Sequence, residues 1–258
     1  MTSTLAPWTA VGSRPWDVDG PPGAPAVVFL HGAILSRAMW APQVARLRDR
    51  YRCVTVDLPG HGVLADRPYS VAAAVELVEA AIRDAAGGRA VVVGLSLGGY
   101  TAIATAADEP HLVRGLVVAG TSMEPTGLAR LAYLWYGWAL RLLPAEPVRA
   151  VGVGLFRRAY GRAMGDTIAQ GYDSKAGGLA VCRLAGERFR PRLMAYGGPV
   201  LVVNGDLDPW FRLGERAFVA GVPDVRRLHL GRASHVSNLD QPDAFAAAIA
   251  EFEASLPA

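Results

Sequence analysis

The chain has 258 residues, 52% of them hydrophobic, with 26 basic against 23 acidic side chains for a formal charge of +3. That length suits one large domain or one domain with an insertion, and the apolar share is enough for a sizeable core. The charges are scattered without a block of one sign, which argues against a nucleic-acid partner or an acidic tail; the pI of about 9.1 partly reflects arginines, Lys175 being the only lysine.

Residues 1–20, MTSTLAPWTAVGSRPWDVDG, are polar and broken by Pro and Gly, so they lack the apolar centre of a secretion signal. No leading hairpin is readable in residues 1–25. The first strong strand is AVVFL (26–30), ending at His31-Gly32, followed by CVTVDL (53–58), which ends in Pro59-Gly60-His61-Gly62. Residues 71–86 form an amphipathic helix with Glu76, Glu79, Arg83 and Asp84 on its polar side. AVVVGL (90–95) ends at Ser96 and runs into a helix-competent stretch, and LVVAG (116–120) ends at Thr121. After the insertion described below come VLVVNG (200–205), RRLHLG (226–231) and a helix from Pro242 with Phe245, Ile249, Phe252 and Leu256 along one face. Short β-branched runs alternating with helices predict an α/β fold: a mostly parallel sheet covered by helices on both faces.

From 122 to 196 no strand pattern appears, which divides the chain into a core (1–121 and 197–258) and a helical cap (122–196). In LARLAYLWYGWALRLL, residues Leu128, Leu131, Trp135, Trp138 and Leu142 recur at spacings of three and four, with Arg130, Gly137 and Arg141 on another face. The stripe reads first as a packing face. The competing reading is a lid whose Trp135, Tyr136 and Trp138 line a pocket for an apolar substrate moiety. The apolar centre of this stretch is half the length needed to span a bilayer, so no membrane partner is expected. Cys53 and Cys182 offer neither a disulfide framework nor metal-ligand spacing, and are expected to be reduced and buried in a cytoplasmic protein.

Gly94-Leu95-Ser96-Leu97-Gly98 follows a strand and precedes a helix, the context in which G-x-S-x-G holds a nucleophile on a sharp turn. An ordinary glycine-rich turn is the bland alternative. A serine needs a base. Of five histidines, His229 falls within a strand, His111 at the far end of the helix after Ser96, and His31 and His61 beside the pocket as loop-shaping residues. His235, in GRASHVSNLDQP after the last strand, is on the side where open α/β sheets bind ligands. Its orienting carboxylate is expected to be Asp208, ahead of Asp206, which fixes the turn, with Glu124 as the alternative. Leu97 N–H and the N–H of Ala33, in the loop after the first strong strand, are the candidate oxyanion donors, while His31 shapes that loop and is a candidate substrate contact.

The stretches FLHGAILSRAMW, VDLPGHG, VVGLSLGGYTA, VVNGDLDPW and ASHVSNLDQPDAF together resemble the α/β-hydrolase superfamily in its lidded subgroup, in family order and from about residue 24 to the end. The resemblance implies Ser96 as nucleophile, Asp208 as acid, His235 as base, Ala33 and Leu97 as oxyanion donors, a helical cap where the insertion falls, and no cofactor or metal. Serine at 96 argues against the branches that use aspartate there. The expected activity is hydrolysis of a small or medium carboxylic ester or lactone through an acyl-enzyme. Alternatives with the same triad are C–C bond or thioester cleavage and acyl transfer, and from another class a non-catalytic ligand receptor.

Overall fold

A computed structural model describes residues 14–257. Seven strands form one sheet in the order β1-β3-β2-β4-β5-β6-β7. They are β1 (Trp16–Asp19), β2 (Ala26–Leu30), β3 (Arg52–Val56), β4 (Ala90–Leu95), β5 (Val113–Ala119), β6 (Val200–Gly205) and β7 (Val225–Leu230). All pairings are parallel except β1 with β3. β2, β4 and β6 are buried along their whole length, as strands covered on both faces must be. Val27 and Phe29 enter the core on one face, Val28 and Leu30 on the other.

β1 is the strand that the sequence does not announce. Only Trp16 of WDVD is buried, so four residues carry a single apolar signal. It also pairs with β3, not with its neighbour β2, so among the described residues these leading strands form no hairpin. Asp17 and Asp19 put charge on this sheet edge, which discourages pairing with another chain. The polar leader runs largely outside the described residues.

One face of the sheet carries α1 (Ala41–Leu47) and α10 (Pro242–Ala254), with Trp40 held between Phe29 and Phe245 at centroid distances of 5.2 and 6.0 Å. The other carries α2 (Val71–Ala85), α3 (Leu97–Asp108) and α7 (Phe189–Tyr196). α2 starts where Ser70 Oγ accepts from Ala73 N–H at 3.2 Å, and its outward face holds the Glu79–Arg83 pair. α7, at the end of the expected cap, buries Phe189 and Leu193 against α3 and so serves the core.

The rest of the insertion comprises α4 (Gly127–Leu142), α5 (Ala145–Ala169) and α6 (Ser174–Leu184), α5 being kinked at Gly161, where φ is 82°. Here the packing-face expectation is overturned. Leu128, Leu131, Trp135, Trp138 and Leu142 face outward, from 50% to 86% exposed, while the buried residues of α4 are Gly137 and Leu140. A Cβ on Gly137 would lie 2.5 Å from Cys182 Sγ and 2.7 Å from the Gly178 carbonyl of α6. The two helices meet through their smallest residues, which allow the closest approach and the most dispersion contact. A hydrophobic period marks the stripe but gives no weight to glycine. Cys182 is only partly buried at this contact, in departure from expectation; Cys53 is buried, and both are free thiols.

Candidate active site

β4 ends at Ser96, whose φ of 53° and ψ of −114° are costly for a residue with a side chain. The turn is that sharp because strand and helix nearly touch. A Cβ on Gly94 would lie 2.3 Å from the Gly98 carbonyl oxygen, and one on Gly98 would lie 2.1 Å from that of Leu30. Ser96 N–H donates to the Ala119 carbonyl at 2.8 Å, tying the turn to β5. Ser96 Oγ makes no hydrogen bond among the described residues and lines a cavity of about 470 Å³.

Asp208 and His235 line the same cavity. Asp208 directly precedes α8 (Pro209–Phe218), with its carboxylate almost fully buried. His235 Nδ1–H donates to Asp208 Oδ2 at 2.8 Å, which leaves Nε2 as the acceptor nitrogen. Phe211 stacks on the imidazole at 4.9 Å, and Gly120 comes so near the ring that a Cβ would be 2.6 Å from Cε1. The alternative acid is engaged elsewhere: Glu124 Oε1 and Oε2 accept from Phe189 and Arg190 N–H at 2.9 and 2.8 Å, capping α7. Burial raises the Glu124 pKa against the pull of those bonds. Asp206 pairs with Arg212 at 2.6 Å, in keeping with a turn-fixing role.

The loop after β2 packs directly on the Ser96 turn, since Gly98 abuts the Leu30 and His31 carbonyls. Ala33 N–H has no hydrogen-bond partner among the described residues. Leu97 N–H, the first of α3, has no partner one turn back. His61 Nε2–H donates to the Ala33 carbonyl, which fixes the Ala33–Ile34 peptide just beyond it. His31 departs from expectation. It is fully buried, accepts from Leu58 N–H at 2.9 Å, donates Nδ1–H to the Gly32 carbonyl at 2.9 Å, and lines no part of the cavity. Burial, then the nearby His61, holds its pKa well below the ordinary histidine value. It holds the loop's shape and presents no surface to the cavity. Trp138 is also outside the cavity, lying under the Arg141 guanidinium at 5.2 Å, whereas Trp135 and Tyr136 do line it.

Several residues escaped the sequence reading. Tyr133, Trp210 and Phe211 are cavity walls; the last two follow Asp208-Pro209 and so sit on the first turn of α8, a placement the motif implied. Tyr133 O–H donates to Tyr100 Oη at 2.6 Å, and Tyr100 O–H donates to the Met123 carbonyl, a chain joining cap to core. Beneath the site, Asn204 Oδ1 accepts from Gly120 N–H at 3.1 Å while its Nδ2 donates to Ser122 Oγ and to buried Glu215. An amide at the end of an apolar strand was the available signal. Among the described residues no lysine or arginine lines the cavity. A larger depression of about 750 Å³, beside β1 and Asp57, contains none of Ser96, Asp208 or His235. Its Cys53 thiol is pushed up to about 12 by burial.

Residues 27–248 match the model of the alpha/beta hydrolase family. The chain is 29% identical over 253 residues to 3-oxoadipate enol-lactonase 1 of Acinetobacter baylyi, covering 88% of each protein. It is 30% identical over 251 residues to the pimeloyl-[acyl-carrier protein] methyl ester esterase of Xanthomonas campestris, covering 90% of this chain and 96% of that one. The crystal structure of the enol-lactonase from Burkholderia xenovorans LB400 superposes with a TM-score of 0.76 at 22% identity, covering 93% of this chain and 96% of that chain, a likeness of fold. With a family match spanning most of its length, the chain belongs to the α/β hydrolase family.

Proposed function

We propose that the protein hydrolyses a carboxylic ester or lactone through an acyl-enzyme on Ser96. His235 Nε2 takes the Ser96 proton as Oγ attacks the carbonyl carbon, and Asp208 stabilises the imidazolium. The oxyanion accepts from Ala33 and Leu97 N–H. Collapse breaks the bond to the leaving alkoxide, which receives the proton from His235; a lactone's alcohol stays tethered. Water then gives its proton to His235, attacks the acyl carbon and frees the acid, returning the proton to Ser96. The sequence needs no metal or cofactor.

The observation that carries this reading is the 2.8 Å bond from His235 to Asp208 on the wall of the cavity that also holds Ser96 at its strained turn. Two relatives whose names describe a lactonase and a methyl ester esterase support it. A cavity of about 470 Å³ suits a small or medium substrate. Walls of Met123, Tyr133, Trp135 and Phe211 without a lysine or arginine favour a neutral substrate with an apolar moiety. Among the described residues no helix is long and apolar enough to cross a membrane, and two free thiols accord with a cytoplasmic setting.

A fluorophosphonate probe should label the protein at Ser96. Ser96→Ala should lose labelling and at least ~10⁴-fold in kcat on an activated aryl ester. Turnover of that ester at the original rate by the variant would remove Ser96 from the mechanism. An unlabelled protein that binds small molecules would favour a receptor.

A further inference from the structure

The outward stripe of α4 does not end at α4. Trp135 lines the catalytic cavity and is 74% exposed; Trp210 of α8 lines the same cavity and is 68% exposed. The two tryptophans therefore place exposed apolar surface of both helices beside the same cavity. Leu128, Leu131 and Leu142 extend that surface along α4, and Leu207 and Leu213 extend it at α8, all of them exposed. On α4 these exposed apolar side chains recur along sixteen residues of helix, or about 24 Å, and surface of that kind marks an interaction site.

The charges are placed to match. Residues 122–196 hold eleven basic and five acidic side chains, so the remainder of the chain is net acidic. The overall +3 hides a positive insertion beside a slightly acidic remainder. Arg130 and Arg141 lie on α4 beside the stripe, about 100° around the helix from its centre, and neither belongs to an ion pair among the described residues. Arg141 already folds over Trp138. A helix with leucine and tryptophan on one face and arginines along its border is built to lie in a lipid interface. There the apolar ridge enters the acyl boundary and the guanidinium groups reach back to head groups.

We propose that α4 and the start of α8 dock the protein on an anionic lipid surface, with the mouth of the catalytic cavity facing the lipid. A second copy fits less well, because face-to-face pairing would bring the two positive caps together. An acidic protein would satisfy the arginines but would need a groove for a protruding ridge that a bilayer accommodates by itself. Docking of this kind needs no spanning segment, so the shortness of LAYLWYGWAL does not oppose it, although it departs from the sequence expectation of no membrane partner. The delivery of an ester from the lipid phase rests on the proposed reading of Ser96; the docking does not.

The experiment uses the full chain and its Ser96→Ala form with vesicles of phosphatidylcholine alone, or with about one third phosphatidylglycerol. Both protein forms should co-sediment with the anionic vesicles, with a blue shift of tryptophan emission, and bind neutral vesicles at least tenfold more weakly. Leu128→Glu with Leu131→Glu and Leu142→Glu should lose vesicle binding at least tenfold. That triple variant should keep hydrolysis of a water-soluble ester within about twofold. Arg130→Gln and Arg141→Gln should each weaken anionic binding about fivefold and reduce its salt sensitivity; they keep the question open to test should the triple variant fail to fold. Absence of binding by the parent chain, or equal binding by the arginine variants, overturns the proposal. So does a concentration-dependent dimer that the leucine variants dissolve, or capture by an acidic protein in preference to vesicles. An enzyme inactive on every ester that still binds vesicles would sink the catalytic reading alone.

Discussion

Asp208 and Glu124 both follow strand ends on the pocket side, and hydrogen bonding alone separates their work. The first holds the imidazole; the second caps a helix. Asp208→Asn should cut kcat/KM by about 10³- to 10⁴-fold, because an amide cannot stabilise the imidazolium. Glu124→Gln should leave kcat within about tenfold while costing about 0.5–2 kcal/mol, as α7 loses its charged cap. Ester hydrolysis and thermal melting of both variants check this; the reverse pattern would exchange their roles. At this scale the meeting of Asp208 and His235 on the cavity that Ser96 lines was legible because motif, chain order and strand-end position converge. His31 and Trp138 were not. A residue just past a strand can turn inward or toward the cavity, and spacing does not say which.

The helices were legible as helices, and the fault lay in which side of α4 is covered. Gly137 and Gly178 set that side by closeness, a property that enters no apolar count. Gly137→Leu should therefore cost about 1–3 kcal/mol by prying α4 from α6. A melting temperature lower by roughly 2–4 °C per kcal/mol would register it. The substitution should also raise KM, since Tyr133, Trp135 and Tyr136 ride on the same helix. An unchanged melt would mean that α4 does not rest on this contact. β1 was missed for a different reason: a four-residue edge strand shows water three of its side chains and leaves no alternation to detect.

At the scale of the whole molecule, buried titratable groups set the pH range of stability. His31 and His61 are held neutral by burial, with pKa values below the ordinary 6.5. The unfolded chain therefore binds protons that the native state refuses as pH falls through 6.5. Stability should decline there, by up to about 1.4 kcal/mol per histidine per pH unit. Asp57 and Glu124, raised by burial, work in the opposite sense but only nearer their ordinary range around 4. Above pH 9.0 the Cys53 thiol ionises in the unfolded chain and resists ionisation in the fold, so stability should fall again. Denaturant midpoints across pH 5 to 10 should trace a plateau with both shoulders; a flat acid limb would show that His31 and His61 can be protonated in place. The parallel architecture was legible because β2 and β4 are unbroken apolar runs, each followed by a helical pattern. The division of charge between cap and core was not, because a total near zero conceals its own distribution.

The turn at Ser96 is a spring held wound. Its dihedral angles suit glycine, yet a hydroxymethyl group occupies them, at a cost of about 1–3 kcal/mol that the packed glycines around it prevent from relaxing. Swapping in alanine silences the hydroxyl and leaves the spring wound. Ser96→Gly should let it go, giving an inert protein that melts above Ser96→Ala; a lower melting point would show that the backbone there is under no load.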